Sequence, residues 1–335
     1  MKIAFCMERL YLETGGGGRI QILKTKEYLE KLYSDIQIYI VHNVNDIEEG
    51  TDILHLFNIL DVDFIKSCIL YAKENSIKTC LSTIYWDFSY TVLSSFLAKI
   101  FGYNYTYRKY SIEKIIAKIT GLLINKPIYY SKKNINDYRY IVENVDILLP
   151  NSREEGTKLL EYVGLNCEDK IFPIVNAVDF KDNNVSPSVE LPQNYILEVG
   201  RIEPIKNQYM LVKAMMDVPE FSIVFLGKDR NPNSKYSKQL HKMARKRGNV
   251  FFYDEIPYEQ VGHFYKNALV HILPSLRESP GLVSLEALFN GCKAVVACDD
   301  FTPGTSYFGS FVTRVDPLSC KSIKDGRFRF NEKIT

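Results

Sequence analysis

The sequence predicts an α/β protein made of two doubly wound, parallel-sheet domains. Three observations lead there. The chain has 335 residues, which suits about two domains. Short apolar runs alternate with longer amphipathic stretches, the pattern of strands joined by crossover helices in a parallel sheet. A polar, proline-containing stretch, Lys181 to Pro192, is the best linker candidate. Residues 1–183 are therefore expected to form one Rossmann-like domain and residues 192–335 a second.

The totals narrow the class of protein. A 46% hydrophobic content is ample for two soluble cores. The net charge of +2 implies no polyanionic partner. Seven cysteines are scattered without a Cys-x-x-Cys pair. That usage argues for a reducing cytosol and against a disulfide or zinc framework. The apolar start, Met1 to Cys6, is too short for a signal peptide, and no stretch has eighteen uncharged apolar residues. A cytoplasmic location is expected.

The first half opens with a strand, Lys2 to Met7, and a loop ending in Gly15 to Gly18. Arg19 to Leu32 reads as an amphipathic helix. A glycine run here lets backbone N–H groups approach a ligand closely. It lacks the spacing of a dinucleotide site and the Lys-Ser/Thr of a P-loop. Further strands are expected at Ile36–Val41, Ile53–Asn58, Lys78–Ile84, Val145–Pro150 and Lys170–Val175, with helices over Asp61–Asn75 and Arg153–Tyr162. His55 falls inside a strand and reads as a buried, hydrogen-bonded histidine.

Residues Phe96 to Tyr140 differ in composition. Nine basic residues stand against two acidic ones, a net +7, and tyrosine is frequent. Ser111 to Leu123 fits an amphipathic helix capped by Ser111. Two readings stand for this region: a contact with an anionic membrane surface through 99–139, or a solvated helix face over an ordinary core stripe. No nucleic-acid-binding motif accompanies the charge.

In the second half, Tyr195 to Gly200 is a strand followed by Arg201-Ile-Glu-Pro-Ile-Lys206. Two cations on one loop at a strand's carboxyl end suit a diphosphate, and they suit a leaving group whose charge grows as a bond breaks. Arg can grip phosphate oxygens bidentately and Lys acts as a point charge. Strands at Phe221–Gly227 and Asn249–Tyr253 and helices at Gln208–Met216, Tyr236–Arg247 and Glu259–Asn267 follow. Then comes an apolar run ending at Leu273, the loop Glu278-Ser-Pro-Gly281, a helix over Leu282–Phe289, and a strand over Ala294–Cys298. Such a helix start offers unpaired N–H groups and a positive dipole end, a ready anion site. Glu278 in the loop and Glu286 on the second helical turn can bracket a ligand whose phosphates rest at Gly281, Leu282 and Val283. Read alone, the two acids are also compatible with a solvated cap.

The run "Pro-Ser…Glu-Ser-Pro-Gly…Glu-Ala-Leu…Gly-Cys-Lys-Ala-Val-Val-Ala" from Pro274 to Ala297 resembles the carboxylate signature of retaining glycosyltransferases of the GT-B fold, in particular glycosyltransferase family 4. Gly200-Arg201…Lys206 resembles that family's phosphate clamp, and Asn176-Ala-Val-Asp179 its Asn-Gly-Val-Asp, with Ala177 in place of glycine. The likeness covers nearly the whole chain and is densest from Tyr195 to Cys298.

The resemblance implies two Rossmann-like domains facing a cleft and transfer of a hexosyl residue, with retention, from a UDP- or GDP-sugar. Arg201 and Lys206 then neutralise the departing diphosphate. Glu286 takes the ribose hydroxyls, and Glu278 contacts the donor sugar and supports positive charge near its anomeric carbon. Gly16 and Gly17 face the donor phosphates. No metal and no other cofactor is expected, and no Asp-x-Asp element with metal-site logic is present. Family members carry His-Asp after the fourth strand, where this chain has Trp86-Asp87. Asp87 is the expected acceptor-side residue, with Trp86 or Tyr85 stacking on a sugar. The expected acceptor is a saccharide, lipid-linked, in polysaccharide or glycolipid assembly. The closing helices of the family have little room before Thr335. A sugar-nucleotide 2-epimerase and a non-catalytic sugar-nucleotide-binding subunit are the alternatives.

Overall fold

The computed structural model describes residues 1–9, 13, 16–86, 132–178, 189–254, 256–279, 281–303 and 307–326. They divide into two compact units, one of residues up to Trp86 and from 132 to Asn176, the other from Ala177 onward.

The first unit comprises β1 (Lys2–Cys6), α1 (Gly17–Leu32), β2 (Gln37–Val41), β3 (Ile53–Phe57), α2 (Val62–Glu74), β4 (Lys78–Ser82), α3 (Lys132–Asn144), β5 (Ile147–Leu148) and α4 (Arg153–Val163). The strands form one parallel sheet in the order β2-β1-β3-β4-β5. A parallel sheet is covered on both faces, so its strands are mainly apolar rather than alternating. Ile3 and Phe5 of β1 pack with Ile22 of α1, Ile38 of β2 and Phe57 of β3. His55 is buried as expected. Its Nε2 lies 2.9 Å from the Ser82 hydroxyl, and burial lowers its pKa to about 3, leaving a neutral ring.

Two expectations for this unit need correction. The Lys170–Val175 strand is not formed. Glu168–Lys170 is a 3-10 turn, and Ile171 makes a single parallel bridge to Leu148. Phe172 N–H and Ile174 N–H still donate to Leu148 and Pro150 carbonyls, at 2.9 and 2.8 Å. Pro150 has no N–H to donate back, so the ladder stops there. For the basic region the sequence leaves two readings open, and its end, from Lys132, fits the core stripe: it starts the helix α3, with Tyr138, Ile141 and Val142 buried at helical spacing. Asp137 of α3 pairs with Lys66 of α2. Ser111–Leu123 and Asp87 lie outside the described residues.

The second correction concerns Tyr85 and Trp86, which are only 3% and 2% exposed. Their burial starts from Glu155, a fully buried residue of α4. Its carboxylate accepts from the Thr83 hydroxyl and, at 2.9 Å, from the Tyr85 N–H. That anchor turns the chain inward after β4. Tyr85 packs against Tyr138 and Tyr162, and the Lys158 ammonium lies 4.8 Å over the Trp86 ring. Neither ring is open to stack on a sugar.

The second unit contains β6 (Tyr195–Val199), α5 (Gln208–Ala214), β7 (Ser222–Leu226), α6 (Lys235–Arg247), β8 (Val250–Tyr253), α7 (Tyr258–Asn267), β9 (Val270–Leu273), α8 (Leu282–Phe289), β10 (Ala294–Ala297), β11 (Val312–Val315) and α9 (Cys320–Gly326). Its parallel sheet runs β11-β10-β9-β6-β7-β8. β7 shows both faces at work. Ile223 and Phe225 pack into the α5 and α6 side, while Val224 and Leu226 meet Phe264 and Tyr265 of α7. Sequence reading assigned no helix after β11, yet α9 forms, with Ile323 fully buried.

Topology fixes where a ligand can sit. The chain leaves β6 toward β7 on one side and returns on the other as β9, so the order reverses at β6. A crevice opens beyond the carboxyl ends of strands at such a switch point. In the second unit the loops concerned run from Gly200 to Asn207 and from Pro274 to Gly281.

Candidate functional site

The site is built on backbone that only glycine permits. Gly227, ending β7, has φ 143°, and a Cβ there would lie 2.4 Å from the Gly200 carbonyl oxygen. Gly200, ending β6, has φ 153°. The two strand ends therefore close together, with Gly200 N–H donating to Leu226 at 2.9 Å and Ile202 N–H to Lys228 at 3.0 Å. The loop then turns through a short 3-10 segment, Pro204–Lys206, into Asn207, which takes a left-handed φ of 65°.

Asn207 is the bolt of the site. Its buried amide donates to the carbonyls of Pro274 and Pro317, at 3.0 and 2.8 Å. Leu276 N–H donates to Ile205 at 2.8 Å, and Glu278 N–H to Phe301 at 3.0 Å. The loops after β6, β9, β10 and β11 thus form one hydrogen-bonded shelf.

On this shelf Lys206 and Glu278 meet. A Cβ at Gly200 would touch Lys206 Cε at 3.4 Å, so the lysine stem lies across the end of β6. Its ammonium reaches Glu278 Oε1 at 2.5 Å, with only 16% and 13% of the two side chains exposed. Shielding of this degree makes the pair stronger than an ordinary surface ion pair. Arg201 is on the same loop, but its guanidinium turns to Glu203 at 3.1 Å and is 40% exposed.

The start of α8 completes the arrangement. Gly281 takes a left-handed φ of 88° and lies against Glu278, whose Cγ would be 3.5 Å from an added Cβ. The N–H groups of Leu282 and Val283 open the helix, where no intrahelical acceptor exists for them. Beneath them His271 of β9 is fully buried, its Nε2 3.2 Å from the Ser284 hydroxyl. Burial lowers its pKa to about 3, so this ring is a neutral strut.

Glu286 sits apart from the Lys206–Glu278 pair, among phenols. Tyr258 and Tyr265 hydroxyls lie 3.4 and 3.3 Å from its carboxylate oxygens. The Tyr265 hydroxyl is closer to the Val283 carbonyl, at 2.9 Å, and has one proton to give. Burial pushes Glu286 up to about 7, and the two phenol hydrogen bonds oppose the rise.

Of the residues singled out by sequence, the structure brings Lys206, Glu278 and Gly281 together, with Arg201, Leu282 and Val283 on the adjoining loop and helix turn. Gly16 and Gly17 belong to the first unit, where Gly16 has φ 114° and Gly17 begins α1. Near that helix Asn151, Asn176 and Gln21 form an amide cluster, with Gln21 Nε2 donating to Asn151 at 2.8 Å. Sequence reading missed Asn207, His271 and Glu198. Asn207 had a usable signal, since a polar residue with a short side chain just before a helix favours caps and left-handed turns. The other two are polar letters inside apolar strands.

Comparison with known proteins bears on the fold and on the second unit. Residues 179–315 match the family described as Glycosyl transferases group 1. The D-inositol 3-phosphate glycosyltransferase of Corynebacterium glutamicum (strain R) is 26% identical over 177 residues, 47% of this chain and 42% of that protein. The D-inositol 3-phosphate glycosyltransferase 2 of Catenulispora acidiphila is 27% identical over 175 residues, 47% of this chain and 41% of that protein. The match thus spans about two fifths of the curated relatives' length. Among solved structures, HepE of Anabaena in complex with UDP superposes with a TM-score of 0.68 at 14% identity, covering 99% of this chain and 90% of that one. Sucrose-phosphate synthase from Thermosynechococcus elongatus gives 0.67 at 15%, with 99% and 90% covered. The chain therefore has the GT-B fold, two parallel-sheet α/β domains, and a glycosyl transferases group 1 match lies across its second unit.

Proposed function

We propose that this protein is a glycosyltransferase that takes its sugar from a nucleoside-diphosphate donor. One observation carries the reading: Lys206, Glu278 and the opening turn of α8 converge at the switch point of the second sheet, with Arg201 on the same loop. A diphosphate placed there meets the N–H groups of Leu282 and Val283 and competes with Glu278 for the Lys206 ammonium. Charge-assisted contacts of this kind are the strong ones, and they strengthen as negative charge grows on the leaving group. Released from the lysine, the Glu278 carboxylate can accept from the donor sugar's hydroxyls and face positive charge at the anomeric carbon. Glu286, when ionised, accepts from the ribose hydroxyls.

The finer assignments are parts of the same proposal: membership of glycosyltransferase family 4, retention of configuration, a UDP- or GDP-hexose donor, and chemistry without a metal ion. Retention fits a site that presents cations and an acid on the donor side. Metal independence fits Lys206, Arg201 and the helix start sharing the work of charge neutralisation. The acceptor we assign is a lipid-linked saccharide in polysaccharide or glycolipid assembly at the cytoplasmic face of a membrane. The basic composition of 99–139 supports it. A free polyol phosphate, as in the name of the relatives, is the competing acceptor. An epimerase would need a histidine at the sugar carbon, and the two strand histidines, His55 and His271, are buried inside their sheets and not available for it.

The test is incubation of the full chain with radiolabelled UDP- and GDP-sugars, in the presence of EDTA, with either membrane extract or inositol phosphate. Lipid-extractable label supports the first acceptor, and label on the soluble polyol phosphate supports the second. Nucleotide binding without label in any product refutes transfer.

A further inference from the structure

Glu198 takes no part in the reaction outlined above, and its setting is unusual. It is the next-to-last residue of β6 and is 1% exposed. Neither carboxyl oxygen has a hydrogen-bond partner among the described residues. Its register partner on β7 is Phe225, so it shares the face of Ile196 and Phe225 covered by α5 and α6. Those helices contribute two phenols to that cluster, Tyr209 and Tyr236, and the Tyr236 hydroxyl is engaged with Gln208 at 2.8 Å. His271 pairs in register with Leu197 and so belongs to the opposite face. The charged groups that bear on Glu198 are Lys206, whose stem crosses Gly200 two residues further on, and Glu278. A buried carboxyl left without partners costs stability, and an apolar side chain of similar size would not.

Resting on the diphosphate reading of the site, we propose that Glu198 is a positioning residue for Lys206: the state of the carboxyl beneath the clamp decides how firmly the ammonium is offered to a nucleoside diphosphate. Held neutral, Glu198 leaves the lysine charge to Glu278 or to the diphosphate. Ionised, it draws the ammonium toward the strand and repels the phosphates. Burial drives the carboxyl well above its ordinary range. Glu278 adds to the rise, and Lys206 opposes it. An anion arriving beside Lys206 adds negative potential and favours the neutral form further. Proton and diphosphate therefore assist each other's binding.

The probes are UDP and GDP themselves, titrated calorimetrically onto the full wild-type chain and onto E198Q and E198L across the pH range over which all three chains stay folded. For the nucleotide that binds, wild-type affinity is expected to fall on the order of tenfold across that range, the size of one like charge placed close by. The fall should be absent from both variants, and E198L should melt at a higher temperature than wild type. Ionisation of the base or of Glu286 acts on all three chains alike, so the fall is read as the wild-type profile divided by each variant's. Parallel profiles in all three overturn the proposal, as does failure of both variants to fold, which would make the carboxyl a structural group. Absence of nucleotide binding by the wild type at every pH is a different result, because it removes the diphosphate reading as well.

Discussion

Replacing Lys206 with alanine isolates the physical core of the site. The substitution removes the cation from a pair in which the side chains are only 16% and 13% exposed. Glu278 then keeps a mostly buried carboxylate without its ion partner, which costs about 1–3 kcal/mol of stability. The same substitution deletes a charge aimed at the developing diphosphate. Loss of one such preorganised contact lowers kcat by about 10²–10³, or roughly 2.7–4 kcal/mol. The two effects can be separated. K206A/E278Q replaces the orphaned carboxylate with a neutral amide, so it should recover much of the lost stability and none of the activity. The measurements are kcat and KM for the donor, with thermal melts of wild type, K206A, E278Q and the double variant. Turnover of K206A within threefold of wild type, with unchanged KM, would falsify the clamp. Recovery of activity in the double variant would show instead that Lys206 serves only to neutralise Glu278.

Glu286 makes a pH prediction. Its folded-state pKa of about 7 lies above the ordinary 4.5, so the folded chain holds this proton more tightly than the unfolded chain. The stability it contributes is present below 4.5 and is lost as pH rises through about 7. The wild-type advantage over E286Q in chemical denaturation should shrink across that window. Donor affinity should move the other way, rising with pH as the carboxylate becomes the acceptor for ribose. E286Q should lack this dependence and fail to transfer sugar, and equal turnover in wild type and E286Q would remove Glu286 from the donor site. Gly227→Ala should cost roughly 3 kcal/mol in a urea melt, because its Cβ would lie 2.4 Å from backbone and its φ is 143°. An unchanged midpoint would mean that the two strand ends do not need to close. Neutralising Lys114, Lys118, Lys132 and Lys133 together should weaken flotation with anionic liposomes more at low salt than at high salt. Equal flotation would leave the region a solvated face.

What the sequence discloses here is the local part. The strands from Tyr195 to Ala297 are readable because both faces of a parallel sheet are buried, which leaves mainly apolar runs, broken only by Glu198, Ser222 and His271, between polar loops. Leu282–Phe289 is visible to the residue because Gly281 marks its start. Two expectations fail for physical reasons. Tyr85 and Trp86 follow a strand's carboxyl end, where ligand-contacting aromatics are plausible, but Glu155, seventy residues on in the chain, ties that backbone inward. Lys170–Val175 has strand composition, yet Pro150 on its partner lacks the donor that a ladder needs. Lys132 onward is basic and aromatic, a composition that leaves membrane contact and core stripe both open, and its 3.6-residue apolar stripe is filled by contacts to α2 and α4. In the first case and the last, a contact remote in sequence decides what the local pattern leaves open.

Lys206 and Glu278 show the same rule working in favour of the reading. They are 72 positions apart, and neither is distinctive alone. Their meeting follows from strand order. β7 and β8 extend the sheet on one side of β6, β9 must then pair on the other, and the loops leaving β6 and β9 become neighbours at the carboxyl edge. A cation on the first loop and an acid on the second then have no other common place to go. Asn207 converts that proximity into fixed geometry by donating to both Pro274 and Pro317 from a single buried amide. Removing it leaves the topology intact and two carbonyls unsatisfied, so the residues would stay near each other while the precise spacing needed around a diphosphate is lost. The site is thus assembled by topology and tuned by hydrogen bonds.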